Sequence, residues 1–258
     1  MQERHRDNDL YFKEQSLTTQ KYVIPYIQAV KDFGKESWVL EVGCGEGGNL
    51  MPFYELGCTC FGIDIDGHKI EVGREKLPYE KVRLIHQDIY DIDPDDFPKF
   101  DIIFLRDVIE HIHNQELFMR TIRNFLKEDG VIFFAFPPWR MPFGGHQQVA
   151  KNKWLSRLPF YHILPKSLYR GLLKMGGETD AKIQTLLEIK ETGISIRRFH
   201  RIVRQNGYEI VRRTDWFINP NYEVKFNLNP RKLIVLNKVP YIRDFFTTCY
   251  YCIVRKKR

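Results

Sequence analysis

The sequence lacks the features that mark secreted and membrane-spanning proteins. No apolar run approaches the roughly 18 residues of a membrane span, and no apolar stretch follows the charged residues 1–6, so we expect no signal peptide. The five cysteines are an odd number, which argues against a disulfide framework. Cys249 and Cys252 have C-x-x-C spacing, but no second pair accompanies them, and we predict no metal site.

Acidic residues are scarce in the second half of the chain. Residues 138–258 hold 24 Lys and Arg against 8 Asp and Glu, whereas residues 1–137 hold 16 against 25. Residues 138–177 contain seven basic residues and no acid. Such a basic half indicates either an anionic partner, such as a phosphate-bearing substrate, a membrane surface or a nucleic acid, or a solvated face that keeps the protein soluble.

The remaining composition is that of an ordinary globular protein. Apolar residues make up 43% of the 258 residues and charged residues 28%, which excludes global disorder and fits one large α/β domain or one domain with an insertion. Strands that are apolar throughout alternate with helical segments, which indicates a parallel sheet covered by helices on both faces. We predict strands at residues 37–42, 58–63, 82–86, 100–105, 131–136, 208–213 and 247–254. We predict helices at residues 10–33, 49–56, 66–77, 114–130 and 194–206, with Pro25 as a break in the first and Gly130 as the end of the fourth.

A glycine-rich turn follows the first predicted strand. Gly43, Gly45 and Gly47 carry no side chain, so a nucleotide-type ligand could approach the backbone closely there. Asp64 lies 21 residues after Gly43, at the end of the second predicted strand, where a carboxylate can accept from both ribose hydroxyls. Ligands of parallel sheets bind at the carboxyl ends of strands, and both features lie at such ends.

The glycine turn alone is also compatible with a dinucleotide site. Two details disfavour that reading. Glu41 lies two residues before the first glycine, where its carboxylate would repel a pyrophosphate, and the turn itself contains no basic residue.

Four segments in order resemble the class I S-adenosylmethionine-dependent methyltransferases. Residues 39–50 resemble their first motif, and residues 61–65 resemble the second. Residues 87–89 resemble the adenine-binding turn after the third strand. Residues 100–112 resemble the fourth strand with the Glu-His segment that is frequent in the ubiquinone/menaquinone-type, small-molecule branch of the family.

This resemblance covers residues 35–137 by motif and residues 194–254 by topology. It implies a three-layer Rossmann-like fold with a seven-stranded sheet, mostly parallel with an antiparallel last strand. It further implies a single methyltransferase domain over residues 1–258. Its parts would be an N-terminal helical segment (1–36), a cofactor-binding half (37–137), an aromatic and basic lid insertion (138–193), and a C-terminal helix with the final strands (194–258).

The resemblance also implies a cofactor, S-adenosylmethionine, which leaves as S-adenosylhomocysteine. Asp64 would bind the ribose diol, and Asp88 would accept from the adenine amino group. Arg106 departs from the small or polar residue expected there, and it would either bind a substrate anion or pair with Asp107 or Glu110. The complete implied cofactor site is Glu41, Gly43, Cys44, Gly45, Gly47, Asp64, Ile65, Asp88, Ile89, Leu105 and Arg106.

An oxygen or carbon nucleophile also needs a base, and histidine titrates nearest to neutral pH. His111 follows the fourth strand and His146 follows the fifth, so both are candidate catalytic residues. The alternatives are a buried, hydrogen-bonded histidine at position 111 and an ordinary loop histidine at position 146.

Apolar and aromatic residues are interleaved with basic ones between residues 139 and 174, as in an interfacial helix. This segment is therefore either a lid packed on the core with a solvated rim, or a lid that touches an anionic membrane and admits an apolar substrate. Nucleic acid binding is disfavoured but open. We expect a cytoplasmic methyltransferase with an anionic or apolar small-molecule acceptor of lipid, quinone or glycan type, peripheral at the inner membrane surface if the lid touches lipid. The alternatives are an RNA-directed methyltransferase and a non-catalytic binding protein.

Overall fold

A mixed eight-stranded sheet forms the centre of the protein, in a computed structural model that describes residues 8–78 and 80–257. The strands lie in the order β3-β2-β1-β4-β5-β8-β6-β7, and β8 runs antiparallel to both of its neighbours. The predicted mostly parallel sheet with an antiparallel last strand is therefore confirmed. The strands are β1 Trp38–Val42, β2 Thr59–Asp64, β3 Val82–His86, β4 Phe100–Arg106, β5 Leu126–Phe136, β6 Tyr208–Ile218, β7 Arg231–Lys232 and β8 Cys249–Lys256.

The helices cover both faces of this sheet, as predicted. They are α1 Asn8–Thr18, α2 Ile24–Gln28, α3 Met51–Glu55, α4 Gly67–Lys76, α5 Gln115–Arg123, α6 Lys166–Met175, α7 Asp180–Thr192, α8 Ile196–Gln205, α9 Asn221–Phe226 and α10 Ile242–Phe246. Helices α5 and α8 contribute to one buried cluster, and α2, α3 and α4 contribute to the other. Consecutive strand residues alternate between the two clusters, as Ile103 and Phe104 do, because side chains along a strand point to opposite faces.

The prediction of seven strands was one strand short. The additional strand, β7, has two residues, Arg231 and Lys232, and pairs antiparallel with β6 at the edge of the sheet. Both of its side chains are exposed, so it has no apolar pattern that a sequence could reveal.

The end of the fourth predicted helix was placed wrongly at Gly130. Helix α5 ends at Arg123, and Gly130 lies inside β5. A Cβ atom at Gly130 would lie 2.9 Å from the carbonyl oxygen of Phe100, so glycine permits a close approach of two backbones here rather than ending a helix. The pairing of β4 with β5 shifts register at this place, between Phe100 and Ile102.

The N-terminal helix is continued by a π-helical segment, Thr19–Val23, before α2 begins. The helix type changes before Pro25, which lies in the first turn of α2. Single π-helical turns are common at functional sites, and this one directs the hydroxyl of Thr19 to Asn49 at 2.9 Å.

The predicted lid insertion forms a small core of its own. Tyr169 and Leu173 of α6 pack against Ile183, Leu186 and Leu187 of α7. Among the described residues we find no helix that combines the length and the apolar character needed to cross a membrane.

Candidate active site

The glycine turn after β1 has a backbone that other residues would strain. Gly43, Gly45 and Gly47 have φ values of +73°, +54° and +77°, the left-handed region that side chains disfavour. The amides of Gly43 and Cys44 donate to the carbonyl of Ile63 at 2.8 and 3.2 Å, so the turn is fixed against the end of β2. Its open face is a row of backbone groups at the carboxyl edge of the sheet.

Asp64 ties this turn to the end of β2. Its Oδ2 accepts from the amide of Gly45 at 2.6 Å, and its Oδ1 accepts from the amide of Asp66 at 2.9 Å. A carboxylate oxygen has two lone pairs, so each oxygen retains one acceptor position for a ligand hydroxyl. The structure thus brings together the glycine turn and the carboxylate that sequence spacing linked.

Glu41 is buried beneath the turn and hydrogen-bonded to Asn49, whose Nδ2 donates to Glu41 Oε1 at 2.6 Å. Burial raises the pKa of Glu41 well above its ordinary value, and the Asn49 hydrogen bond and the Arg106 charge offset that rise only in part. Glu41 Oε2 has no hydrogen-bond partner among the residues that the structure describes.

Arg106, at the end of β4, donates from Nη1 to Asn49 Oδ1 at 2.5 Å and to Thr19 Oγ1 at 3.1 Å. The partners of Arg106 are therefore Asn49 and Thr19, and not Asp107 or Glu110, with which an ion pair was one of the predicted alternatives. The same guanidinium lines a cleft with Tyr11 of α1 and with Lys225 of α9. Asn49 and Thr19 were not predicted as site residues. Asn49 lies inside the first motif segment but had no expected role there, and Thr19 lies outside every motif segment, 87 residues from Arg106.

The remaining predicted cofactor residues divide into exposed and buried side chains. Ile65 is 73% exposed directly after Asp64, which is unusual for an isoleucine. Asp88 is exposed, and its carboxylate accepts from the amide of Tyr90 at 3.0 Å. Ile89 and Leu105 are buried in the core, so only their backbones can face a ligand.

Cys44 is buried beneath the turn and packs against Gly62 of β2. A Cβ atom at Gly62 would lie 2.7 Å from Cys44 Sγ, so this thiol fills the space that the glycine leaves. Burial raises the pKa of Cys44 well above its ordinary value, which keeps the thiol neutral. The side chain of Cys44 thus supports the turn from below.

The two candidate histidines lie side by side. The rings of His111 and His146 meet edge to face with centroids 5.0 Å apart, although the residues are 35 positions apart in the chain. Desolvation by the surrounding protein lowers the pKa of both, although His111 is partly exposed. The pKa of His146 falls to about 4, with a further contribution from His111. At neutral pH both imidazoles are therefore uncharged and can accept a proton.

Glu110 completes this cluster. Its side chain is buried, and neither carboxylate oxygen has a hydrogen-bond partner within the described part of the chain. Burial, reinforced by the charge of Asp107, raises the pKa of Glu110 well above its ordinary value. One donor atom each from Glu110, His111 and His146 lies within 4.8 Å of the others, so these three side chains could also hold a metal ion. No metal site was predicted from the sequence, although Glu110 and His111 are adjacent in the chain.

The sequence and the fold are similar to those of known methyltransferases. The sequence pattern of the methyltransferase domain family matches residues 19–176. The chain is 33% identical over 109 residues to the ubiquinone biosynthesis O-methyltransferase of Glaesserella parasuis serovar 5 (strain SH0165), a match that covers 40% of this chain and 45% of that protein. It is 32% identical over 100 residues to the (S)-tetrahydroprotoberberine N-methyltransferase of Eschscholzia californica, covering 37% and 28%.

The chain thus spans less than half the length of these two relatives. Among solved structures, the plantazolicin methyltransferase BpumL in complex with SAH has a similar fold, with a TM-score of 0.53 at 12% identity over 99% of this chain and 87% of that one. The family pattern extends over more than half of the sequence, and the chain therefore belongs to the methyltransferase domain family.

Proposed function

We propose that the protein is an S-adenosylmethionine-dependent methyltransferase that methylates an oxygen or carbon of a small-molecule acceptor. The observation that carries this proposal is the hydrogen bond from the Gly45 amide to Asp64. This hydrogen bond places the open backbone of the glycine turn next to a carboxylate that retains free acceptor positions. Together they form one site that could bind a nucleoside with an amino-acid tail.

The residues present fit that cofactor. Asp64 would accept from the ribose hydroxyls, and the exposed side chain of Ile65 would be covered by the adenine ring. The exposed carboxylate of Asp88 would accept from the adenine amino group, with the Ile89 amide beside it. Gly43, Gly45 and Gly47 would leave room for the methionine portion along the turn.

When bound, this cofactor supplies an electrophilic methyl group on a sulfonium. The task of the protein is then to align the acceptor in line with that methyl group and to remove its proton. His146 would take the proton from the acceptor oxygen or carbon as the new bond to the methyl group forms, and His111 beside it would hold the orientation of its ring. A neutral His146 is ready for this step at every pH well above 4.

The lid and the relatives support a small acceptor. Both named relatives are small-molecule methyltransferases by name, one acting in ubiquinone biosynthesis. The lid carries His146 at its start, together with seven basic residues and no acid between positions 138 and 177. These charges favour an anionic acceptor, or an apolar one that enters from an anionic membrane. The proposal includes a cytoplasmic location for the protein. It also includes peripheral contact of residues 139–174 with the surface of the inner membrane.

Binding of S-adenosylhomocysteine to Asp64→Ala, measured by titration calorimetry, tests the cofactor site. Two hydrogen bonds to a charged group are lost, each worth about 1.5–3 kcal/mol, so we expect the affinity to fall at least about 100-fold. Asp66→Ala is the matched control, because Asp66 caps α4 two residues away and has no predicted ligand contact. Wild-type affinity in Asp64→Ala would refute the assignment.

The role of His146 is tested separately, with labelled cofactor and a panel of quinone, phenolic and glycan acceptors. Transfer that survives a chelator but is lost in His146→Ala identifies a base, whereas transfer that the chelator abolishes indicates a bound metal ion, for which Glu110, His111 and His146 are the candidate ligands. Unchanged transfer in His146→Ala contradicts the proposed step.

A further inference from the structure

A second apolar surface lies outside the lid, in the connection from β6 to β8. Residues 226–242, here called the apolar projection, carry several exposed hydrophobic side chains. Ile234 and Val235 are the most prominent, with 73% and 77% of their surface exposed. The other exposed apolar residues of the projection are Phe226, Leu228, Val239, Tyr241 and Ile242.

The projection has a fixed backbone. Its strand β7 pairs with β6, and the amide of Leu233 donates to the carbonyl of Asp215 at 2.8 Å. The side chain of Leu233 is buried, whereas those of the next two residues are exposed. Ile234 and Val235 are therefore held at the surface by an ordered edge of the sheet.

Basic residues accompany these apolar side chains. Residues 226–242 contain three Lys and Arg and no Asp or Glu. Arg231, Lys232 and Lys238 are exposed close to Ile234 and Val235 in the chain. Exposed aliphatic residues together with exposed cations complement an anionic lipid surface. The acyl chains of the lipid take up the aliphatic side chains, and the anionic headgroups attract the cations.

The projection adjoins the lid. The ring of Phe160 in the lid packs on Phe245 of α10 at 6.0 Å between centroids. The guanidinium groups of Arg140, from the lid segment, and Arg197 lie 5.5 and 4.8 Å from the ring centre of Tyr241. The lid itself also carries exposed apolar residues, among them Trp154 and Leu168.

We propose that the apolar projection docks on an anionic lipid bilayer, with Ile234 and Val235 inserted among the lipids and the neighbouring cations at the headgroups. A second copy of the chain is a poorer occupant, because it would bring two acid-free basic segments together. Nucleic acid is also poorer, because Ile234 and Val235, the most exposed apolar residues of the projection, offer no ring for a base to stack on. The proposal builds on the proposed function, since a docked projection would hold the adjoining lid near an apolar acceptor.

Co-sedimentation of the full chain with vesicles tests this docking without cofactor or acceptor. We compare vesicles of equal phosphatidylglycerol and phosphatidylcholine with vesicles of phosphatidylcholine alone. Wild type should bind the anionic vesicles, and Ile234→Ser/Val235→Ser should bind them at least about tenfold more weakly, because the loss of two inserted aliphatic chains removes most of the apolar burial. The matched control is Leu56→Ser/Leu117→Ser, which removes two exposed leucines from other elements and should bind like wild type.

Each other outcome overturns the proposal. Equal binding of wild type and Ile234→Ser/Val235→Ser would mean that basic charge alone attracts the vesicle. If Trp154→Ser abolishes binding while Ile234→Ser/Val235→Ser does not affect it, the lid alone makes the contact. Binding of S-adenosylhomocysteine by the same variants reports on the cofactor site separately, so a failure of docking cannot be mistaken for a failure of the proposed function.

Discussion

Replacement of Gly43 by alanine should disturb both the glycine turn and the segment that carries Glu110 and His111. Gly43 faces Val108, in the segment that leads from β4 to Glu110 and His111. A Cβ atom at Gly43 would lie 2.4 Å from Val108 Cγ2 and 3.2 Å from Cγ1. Since both methyl groups are close and a β-branched side chain is stiff about χ1, rotation of Val108 alone does not clear the space.

The cost of this substitution has two parts. Alanine at a φ of +73° costs about 1–2 kcal/mol in the folded state. Forcing a methyl group against Val108 adds about 1–3 kcal/mol, as overpacking does in other cores. We therefore expect the free energy of unfolding of Gly43→Ala to fall by about 2–5 kcal/mol.

The variant Gly45→Ala measures the backbone cost without the steric cost. Gly45 has a φ of +54°, but its added Cβ would meet only Lys69 Cδ at 3.6 Å, an ordinary contact. This variant should lose about 1–2 kcal/mol, the backbone part alone. Urea unfolding followed by circular dichroism measures both variants, with the slope of free energy against urea checked for constancy.

The double variant Gly43→Ala/Val108→Ala tests the steric reasoning directly. With the Val108 methyl groups removed, the alanine at position 43 should cost no more than the one at position 45, so the two substitutions should couple favourably by about 1–3 kcal/mol. Equal losses in Gly43→Ala and Gly45→Ala, or additive losses in the double variant, would refute the argument.

Two further predictions concern buried titratable groups. Burial raises the pKa of Glu110, so the folded state binds the proton of this carboxyl more tightly than the unfolded state does. The free energy of unfolding therefore falls as the pH rises above about 4.5. Glu110→Gln should remove this loss, and at pH 8 it should unfold at a higher urea concentration than wild type. The pKa of His200 is lowered to about 3 by burial and by the charges of nearby arginines, so the unfolded state binds more protons and stability falls as pH drops below about 6.5. His200→Gln should flatten that part of the profile, in urea titrations between pH 4 and 7, and an unchanged slope would contradict the assignment.

The sequence revealed those parts of the fold that depend on local patterns. Apolar runs predicted all of the longer strands, and glycine spacing predicted the turn that Asp64 holds. The two-residue strand β7 and the end of α5 were not predictable in this way, because backbone pairing with distant strands determines both. The same holds for the hydrogen bonds of Arg106 to Asn49 and Thr19, because these three residues are far apart in the chain and only the fold brings them together.

The packing of Gly43 on Val108 also bears on how the site works as a unit. Val108 stands between the glycine turn on one side and Glu110 and His111 on the other, so these two parts of the site share one van der Waals contact rather than lying on independent loops. Because packed interiors transmit small displacements, a ligand that orders the turn should also fix the position of His111 and, through the ring contact, of His146. Positioning of the base would then depend on occupancy of the cofactor site, so that the acceptor meets an aligned base only when a methyl donor is present.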